Sequence, residues 1–262
     1  MIVNQINLKS TAKIIWDSWK EYRVLSTLPR NLVPRNRFEA YTVQSYFEEF
    51  SQQGLFGWKI AATSQAGQKH IGATGPMAGR ILKEKTFLKH HVVDLTHSTM
   101  SVAELEFVFK MGKTIKPKNI PYKQNEVLTF VDSLYSGIEF PDSRFENFSN
   151  LGELFLIADN ACANNFVIGS KLPDIWHSID LSNHQVELRV KDGLCERGVG
   201  SNVLGDPRTA LTWLVNELSS LNITLHSGEF VTTGTCTVPL LVKKGDHIIA
   251  DYGELGKLEI KV

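Results

Sequence analysis

Two glutamates, Glu104 and Glu106, interrupt an otherwise apolar run, Val102-Ala103-Glu104-Leu105-Glu106-Phe107-Val108-Phe109. β-Branched and aromatic residues dominate the run, and neither Gly nor Pro breaks it, so it reads as a β-strand. Side chains in a strand alternate faces. Glu104 and Glu106 therefore share one face, and Ala103, Leu105, Phe107 and Phe109 share the other. Two carboxylates held this close repel, and burial sharpens the conflict. A hard divalent cation relieves it, because Mg²⁺, Mn²⁺ and Ca²⁺ take carboxylate oxygens as ligands. The alternative is an edge strand with one solvated face, where Glu-x-Glu is ordinary.

Glu139 follows Ile138 at the end of a second strand-like stretch, Ser136 to Phe140. A Glu-x-Glu pair plus one distant Glu offers three oxygen donors and leaves positions open for water or substrate, the usual economy of a catalytic Mg²⁺ site. Taken alone, Glu139 also fits a plain surface residue. Lys59 lies between Trp58 and Ile60 inside an apolar strand, where lysine is depleted. A lysine buried there loses its proton or pairs with an anion, and one that snorkels to the surface does neither. Gly198-Val199-Gly200 with Gly205 lacks the spacing of a dinucleotide fingerprint. The histidines, His90-His91 included, lack ligand spacing.

The elements that would position these groups are legible in outline. Thr11 to Tyr22 and Phe38 to Gln53 carry helical apolar spacing, and Gly54 ends the second helix. Trp58 to Thr63 is a short strand, followed by a polar loop from Ser64 to Gly79. Glu126 to Tyr135 has the apolar spacing of a helix. Strands are expected at 166–168, 175–180 and 185–190. The helix from Pro207 to Leu221 has Asp206 at its N-cap and proline at its first position. From Gly228 onward strands and turns alternate. Helices in front of a β-rich remainder give an α+β chain, organised as a helical cap over 1–56 and a β-rich metal-binding catalytic domain over 57–262.

Composition narrows the function. At 262 residues, 42% apolar and 21% charged, the chain has the make-up of a globular protein with one large domain or a main domain and an appendage. The net charge of zero provides no electrostatic footprint for nucleic acid or an anionic membrane. No apolar run approaches the roughly 18 residues of a membrane span, and the first residues lack the blocks of a signal peptide. Cys162, Cys195 and Cys236 are few and far apart, which indicates neither disulfides nor a zinc site and suits a reducing cytoplasm.

Several stretches, in order, resemble one family. They are Gly57-Trp58-Lys59-Ile60-Ala61-Ala62-Thr63-Ser64, Ala103 to Phe107, Ile138-Glu139-Phe140-Pro141-Asp142-Ser143-Arg144, Ala158-Asp159-Asn160-Ala161, Gly200 to Trp213 and Gly228 to Gly234. The chain resembles the 2-keto-4-pentenoate hydratase and 4-oxalocrotonate decarboxylase group of the fumarylacetoacetate hydrolase superfamily. The resemblance implies N-terminal helices packed on a mixed β-roll, with Mg²⁺ or Mn²⁺ held by Glu104, Glu106 and Glu139. It implies a divalent-metal lyase that adds water to a short 2-hydroxy-dienoic or 2-keto-enoic acid. A 4-oxalocrotonate-type decarboxylase, an acylpyruvate hydrolase or decarboxylase, and a non-catalytic keto-acid or partner binder are the alternatives. Lys59 would move a proton or hold the substrate anion, its pKa lowered by desolvation. Asp159, Asn160, Thr233 and Arg144 would contact substrate or support the site. A diacid would want a further cation, for which Arg30, Arg80 and Arg144 are available. A homo-oligomer, and association with a related hydratase or decarboxylase, are also implied. The loop Ile71 to Gly79 departs from the pattern, since it has no carboxylate where the best-known hydratases carry acids. His70, just upstream, is the candidate replacement as proton carrier.

Overall fold

The computed structural model describes residues 2–88 and 92–262, with side chains from residue 7 onward. His90 and His91 lie outside the described residues. Helix α1, Ile2–Lys20, turns Leu8, Ala12, Ile15 and Trp19 inward, the three-to-four spacing of a single buried stripe. Helix α2, Arg37–Phe50, starts at Asn36, whose side chain accepts from the Glu39 N–H at 2.9 Å, and it buries Ala40, Val43 and Phe47.

The chain then runs β1 (Leu55–Ala61), α3 (Gln65–Ile71), β2 (Met77–Leu82), β3 (Thr86–Leu88), β4 (Val102–Met111), α4 (Gln124–Leu128) and β5 (Val131–Phe140). It continues through α5 (Glu153–Ala158), β6 (Asn165–Lys171), β7 (Gln185–Val190), β8 (Cys195–Val199) and α6 (Pro207–Ser220). It closes with β9 (Phe230–Thr235), β10 (Leu240–Leu241), β11 (His247–Asp251) and β12 (Lys257–Lys261).

The larger sheet has the order β2-β1-β9-β4-β5-β6-β3, with β10 also on β4, and the smaller has β12-β11-β7-β8. β1–β9 and β3–β6 are parallel and the remaining pairs antiparallel, so the larger sheet is mixed. It is also curled. Phe56 of β1 and Phe166 of β6 have ring centroids 6.3 Å apart, yet four strand spacings in a flat sheet amount to about 19 Å. The sheet therefore rolls until its distant strands face each other.

The roll has two differently furnished faces. Outside, Trp58, Ile60, Leu105, Phe107, Phe109 and Ile138 join one continuous core with α1, α2, α6 and the smaller sheet. Inside, Ile81, Val108, Phe166 and Ile168 form a separate apolar cluster with Phe56, Tyr135 and Phe230 packed against it. The cap region thus shares its apolar core with the sheet. Gln44 of α2 also donates to the Ala78 and Ile157 carbonyls, each at 2.9 Å.

Several local expectations are corrected. The helix expected at Glu126 to Tyr135 is confined to α4, and Val131 to Tyr135 open β5 instead. Pairing with β4, Tyr135 opposite Val108 and Leu134 opposite Phe109, overrides the weak helical preference of that stretch. The strand expected over 175–180 is a single 3₁₀ turn, Asp174–His177, around buried Trp176. The loop from Ser64 to Gly79 contains α3, capped by the Ser64 hydroxyl accepting from the Gly67 N–H and ended by left-handed Gly72. β3, β8 and α5 carry no clear sequence signal. Among the described residues no helix is long and apolar enough to cross a membrane.

Candidate metal centre

The antiparallel register of β4 on β5 sets Glu104 directly opposite Glu139, with Glu106 opposite Gly137. Residues opposite each other share a face, so Glu104, Glu106 and Glu139 all point into the roll. One carboxylate oxygen from each lies within 4.8 Å of the others. Glu106 and Glu139 are buried and Glu104 is half-buried, which puts the opening of the site on the Glu104 side.

Lys59 comes from β1, two strands away from β4 in the sheet order. Curling brings its Nζ to 3.0 Å from Glu139 Oε1, and Nζ also donates to the Ala161 carbonyl at 2.9 Å. Burial works against its charge, but Glu139, Glu104 and Glu106 together outweigh it and hold its pKa above the ordinary lysine value. This corrects the expectation of a lowered pKa: the three acids, and not desolvation, decide the sign. The carboxyls respond in the same sense. Burial, then Glu139, pushes Glu104 up to about 7, with Lys59 opposing. Burial, Glu139 and Glu104 push Glu106 well above the carboxylate range.

One lysine does not neutralise three acids, and the oxygens show the deficit. Glu106 Oε2 accepts from the Thr232 hydroxyl and from the Gly234 N–H at 2.7 Å. Its Oε1, and Oε2 of Glu139, are buried with no partner. Buried polar atoms are normally satisfied, so two orphaned oxygens in an all-carboxylate cluster fit a hard divalent cation. Gly234 supplies its N–H from φ 101°, and a Cβ there would lie 2.5 Å from the Thr63 hydroxyl. Tyr252, beyond β11, pins the strands behind the acids. Its hydroxyl donates toward the Glu106 and Gly137 carbonyls at 3.0 and 2.8 Å, and accepts from the Gly137 N–H at 3.0 Å.

The four expected substrate contacts are placed differently. Asp159 and Arg144 saturate each other in the interior: Arg144 Nε donates to Asp159 Oδ1, while the Ser143 hydroxyl and Arg144 N–H donate to Oδ2. The remaining Arg144 donors go to the Asp142, Ala163 and Asp159 carbonyls. The Asn160 side chain accepts from the Arg80 N–H and donates to its carbonyl, at 2.6 and 2.8 Å, completing the edge strand β2 as a neighbouring strand would. Thr233 points to the opposite face of β9 and donates to the Phe107 carbonyl at 3.0 Å; its neighbour Thr232 is the one that reaches Glu106. Together Asp159 and Asn160 lock a run of three left-handed residues, Asn160, Ala161 and Cys162, that turns the Ala161 carbonyl toward Lys59. Such strain in non-glycine residues persists only where the surroundings over-determine it. Gly79, opposite Lys59, makes room for this turn, since a Cβ would lie 2.5 Å from the Asn160 carbonyl oxygen.

His70 is exposed at the end of α3, edge-on to Phe148. It shares no hydrogen bond or ion pair with the acids, because the short α3 turns it outward. The acid-free loop borrows an acid from elsewhere: Glu153 of α5 accepts from the Thr74 N–H and hydroxyl at 3.0 and 2.8 Å and pairs with Arg37. Burial opposes its charge, but those partners win and hold its pKa below the usual range. The thiol of Cys162 is pushed up to about 12, chiefly by burial and then by Asp159, which leaves it unreactive. The stretch Thr232 to Thr235 reads in the sequence as hydroxyls and amides that could meet an anion or as a plain turn, without singling out Thr232 as a partner of Glu106, and Ala161 and Tyr252 were missed as contacts of the site. Thr232 is signalled by its even spacing from Gly234, whereas the Ala161 carbonyl and the distant Tyr252 have no local signal.

No family model matches the chain. It is 26% identical over 256 residues to 2-keto-4-pentenoate hydratase 1 of Dechloromonas aromatica, covering 97% of this chain and 96% of that protein. It is 27% identical over 229 residues to a 4-oxalocrotonate decarboxylase of Pseudomonas putida, covering 85% and 84%. The fold superposes with a TM-score of 0.87 on 4-oxalocrotonate decarboxylase from Pseudomonas putida G7 complexed with magnesium and adipate, at 23% identity over 97% of this chain and 96% of that one. The likeness extends to fumarylacetoacetate hydrolase from psychrophilic Exiguobacterium antarcticum, with a TM-score of 0.57, 17% identity and coverage of 79% and 74%.

Proposed function

We propose that this chain, a relative of the 2-keto-4-pentenoate hydratases and 4-oxalocrotonate decarboxylases along most of its length, is a divalent-metal-dependent lyase that hydrates a short 2-hydroxy-dienoic or 2-keto-enoic acid. The observation that carries this reading is the convergence of Glu104, Glu106 and Glu139 with two of their oxygens buried and unpartnered. Mg²⁺ or Mn²⁺ fits that donor set and, when bound, supplies positive charge where the 2-keto oxygen gains negative charge.

The chain's own residues do the rest. Thr232 and the Gly234 N–H fix the rotamer of Glu106, as outer hydrogen bonds orient a ligand. Lys59, kept protonated by three acids and aimed by the Ala161 carbonyl, holds the substrate carboxylate or hands a proton to carbon. The apolar cluster of Val108, Phe166 and Phe230 closes one end of the roll and excludes water from it. Residues 1–56 act as a cap on this roll. His70 has the weakest claim and would act only through water.

Hydration is favoured over decarboxylation of a diacid by the placement of cations. Arg80 is buried against Glu48 and Gln44, Arg144 is saturated by Asp159, and Arg30 is exposed beside Asn31 and Arg35. Lys59 is the cation whose field acts on Glu104. A single ammonium beside the metal suits a monocarboxylate. Cytoplasmic residence and self-association, including assembly with a related enzyme, belong to the same reading.

The test follows the ultraviolet absorbance of 2-hydroxypenta-2,4-dienoate with purified protein, in Mg²⁺ and then in chelator. Chelator-sensitive decay to a 4-hydroxy-2-keto acid is expected, with none in Glu106→Gln. Decay on 4-oxalocrotonate with release of CO₂, and none on the dienoate, would make the decarboxylase the correct reading. Ligand-induced thermal stabilisation without turnover of either compound would leave a binder.

A further inference from the structure

Directly inward of the three carboxylates the roll is blocked by an aromatic ring. Gly137 faces Glu106 across the β4–β5 ladder, and Phe166 of β6 faces Glu139 on β5. Residues opposite each other share a face, so Phe166 points into the roll beside the third acid. Its ring leans across Gly137. A Cβ on that glycine would lie 3.0 Å from Phe166 Cζ, 3.2 Å from its Cε2 and 2.5 Å from Val108 Cγ2. Glycine is therefore what lets the two side chains meet over β5, next to Glu106 across the ladder and two residues from Glu139.

This floor is backed from behind. Phe166 and Val108 are both buried. Phe56 stands behind Phe166, with ring centroids 6.3 Å apart, and is itself stacked on Phe230 at 4.6 Å. Tyr135 meets Phe230 edge-on, and Ile81 and Ile168 complete the cluster. Side chains packed to this density resist displacement by even one methylene. The ring is a stop, and a chain pressed against it gains no further depth.

The surroundings of the triad give a bound molecule its direction. Thr232 and the Gly234 N–H flank Glu106, and Lys59 flanks Glu139. The opening lies on the side of half-buried Glu104. On the inner face, Phe166 and Val108 put apolar surface beside these polar groups. A carbon chain that left the metal toward the opening would stay in water. One that runs inward is buried against Phe166 and Val108, and burial of apolar surface favours that course.

We propose that Phe166 is a specificity-determining residue: the carbon chain of a metal-held 2-keto acid runs inward from the triad and ends against its ring, which sets the longest chain the site accepts. The proposal rests on the 2-keto-acid reading of this site, and its test separates the two. Saturated straight-chain 2-keto acids from pyruvate to 2-oxooctanoate carry the chelating head but no double bond to hydrate. Each is titrated by calorimetry, in Mg²⁺ and then in chelator, into wild type, Phe166→Leu and Phe166→Ala. Phe107→Leu, buried on the outer face of β4, controls for general loosening of the core.

In wild type, Mg²⁺-dependent affinity should rise roughly fourfold per methylene until the chain meets the ring, and fall for longer acids. Both Phe166 variants should move the best length upward and bind the longest acid roughly tenfold or more tighter than wild type does. Their Mg²⁺ affinity without acid should be unchanged, and Phe107→Leu should keep the wild-type profile. Affinity that climbs through the whole series in wild type would overturn the proposal and leave the keto-acid reading standing. So would a best length that the Phe166 variants leave in place, or that Phe107→Leu shifts equally. If the alanine variant does not fold, Phe166→Leu and the wild-type profile decide. Binding that ignores chelator, or no binding of any 2-keto acid, would overturn both readings.

Discussion

At the scale of single residues, one turn of alternation decides which threonine matters. Thr232 and Thr233 are adjacent and both buried, but only Thr232 faces the acids, where its hydroxyl donates to Glu106. Thr232→Val should therefore weaken Mg²⁺ binding by roughly tenfold or more, the usual cost of losing a hydrogen bond that orients a ligand. Thr233→Val should leave Mg²⁺ affinity unchanged, and calorimetric titration of both variants checks the contrast. Lys59 calls for a separate prediction. Its ammonium competes with a cation for the same carboxylates, so Lys59→Met should bind Mg²⁺ at least as tightly as wild type. Its turnover should nevertheless fall on the order of 10²-fold, as expected for a displaced proton-transfer or anchoring group. Weaker Mg²⁺ binding with unchanged turnover would assign Lys59 to scaffolding.

At the scale of elements, the turn between α5 and β6 links the interior to the site. In the sequence, Asp159, Arg144 and Asn160 stand out as substrate or supporting contacts only through the family resemblance of the motifs that contain them. The structure uses their polarity to hold backbone: Asp159 fixes Arg144, and Asn160 completes β2. Breaking a buried ion pair leaves an uncompensated charge, worth about 3–5 kcal/mol. Asp159→Asn should accordingly lower unfolding free energy by that order in chemical denaturation. It should also slow turnover, because the Ala161 carbonyl that aims Lys59 rides on the same turn. Full stability in that variant would show that the left-handed run is held by something else. The motifs around Lys59, Glu104 and Glu139 were legible because each sits on a strand of plain pattern. Much of β5 was not, because its residues favour a helix locally until β4 pairs with them.

At the scale of the whole molecule, rolling the sheet concentrates negative charge in its interior and ties stability to pH. Glu104 keeps its proton up to about pH 7 in the folded protein, against an ordinary value of 4.5. Between those values the unfolded chain binds fewer protons than the folded one, so stability should fall as pH rises through that window, and Glu106, raised in the same direction, adds to the fall. A divalent cation reverses the trend, since it needs the carboxylates deprotonated. The rise in Tm on adding Mg²⁺ should therefore be larger near pH 8 than near pH 6, and absent in Glu106→Gln at both. An equal rise at the two pH values would mean that the acids are already ionised without metal.

The sequence by itself determined the α+β class, the acid pair on one face of β4 and the capped helix α6, each written in spacing or capping that local physics reads directly. The third acid and the lysine were open on spacing alone, and the family resemblance of their motifs singled them out. Only the tertiary structure decided that the sheet curls. That curl brings Lys59 across two intervening strands to Glu139, leaves two carboxylate oxygens unpartnered, and consigns Asp159, Asn160, Thr233 and Arg144 to holding the frame. Strand register and sheet curvature arise from contacts between residues far apart in the chain, and no window of sequence contains both partners.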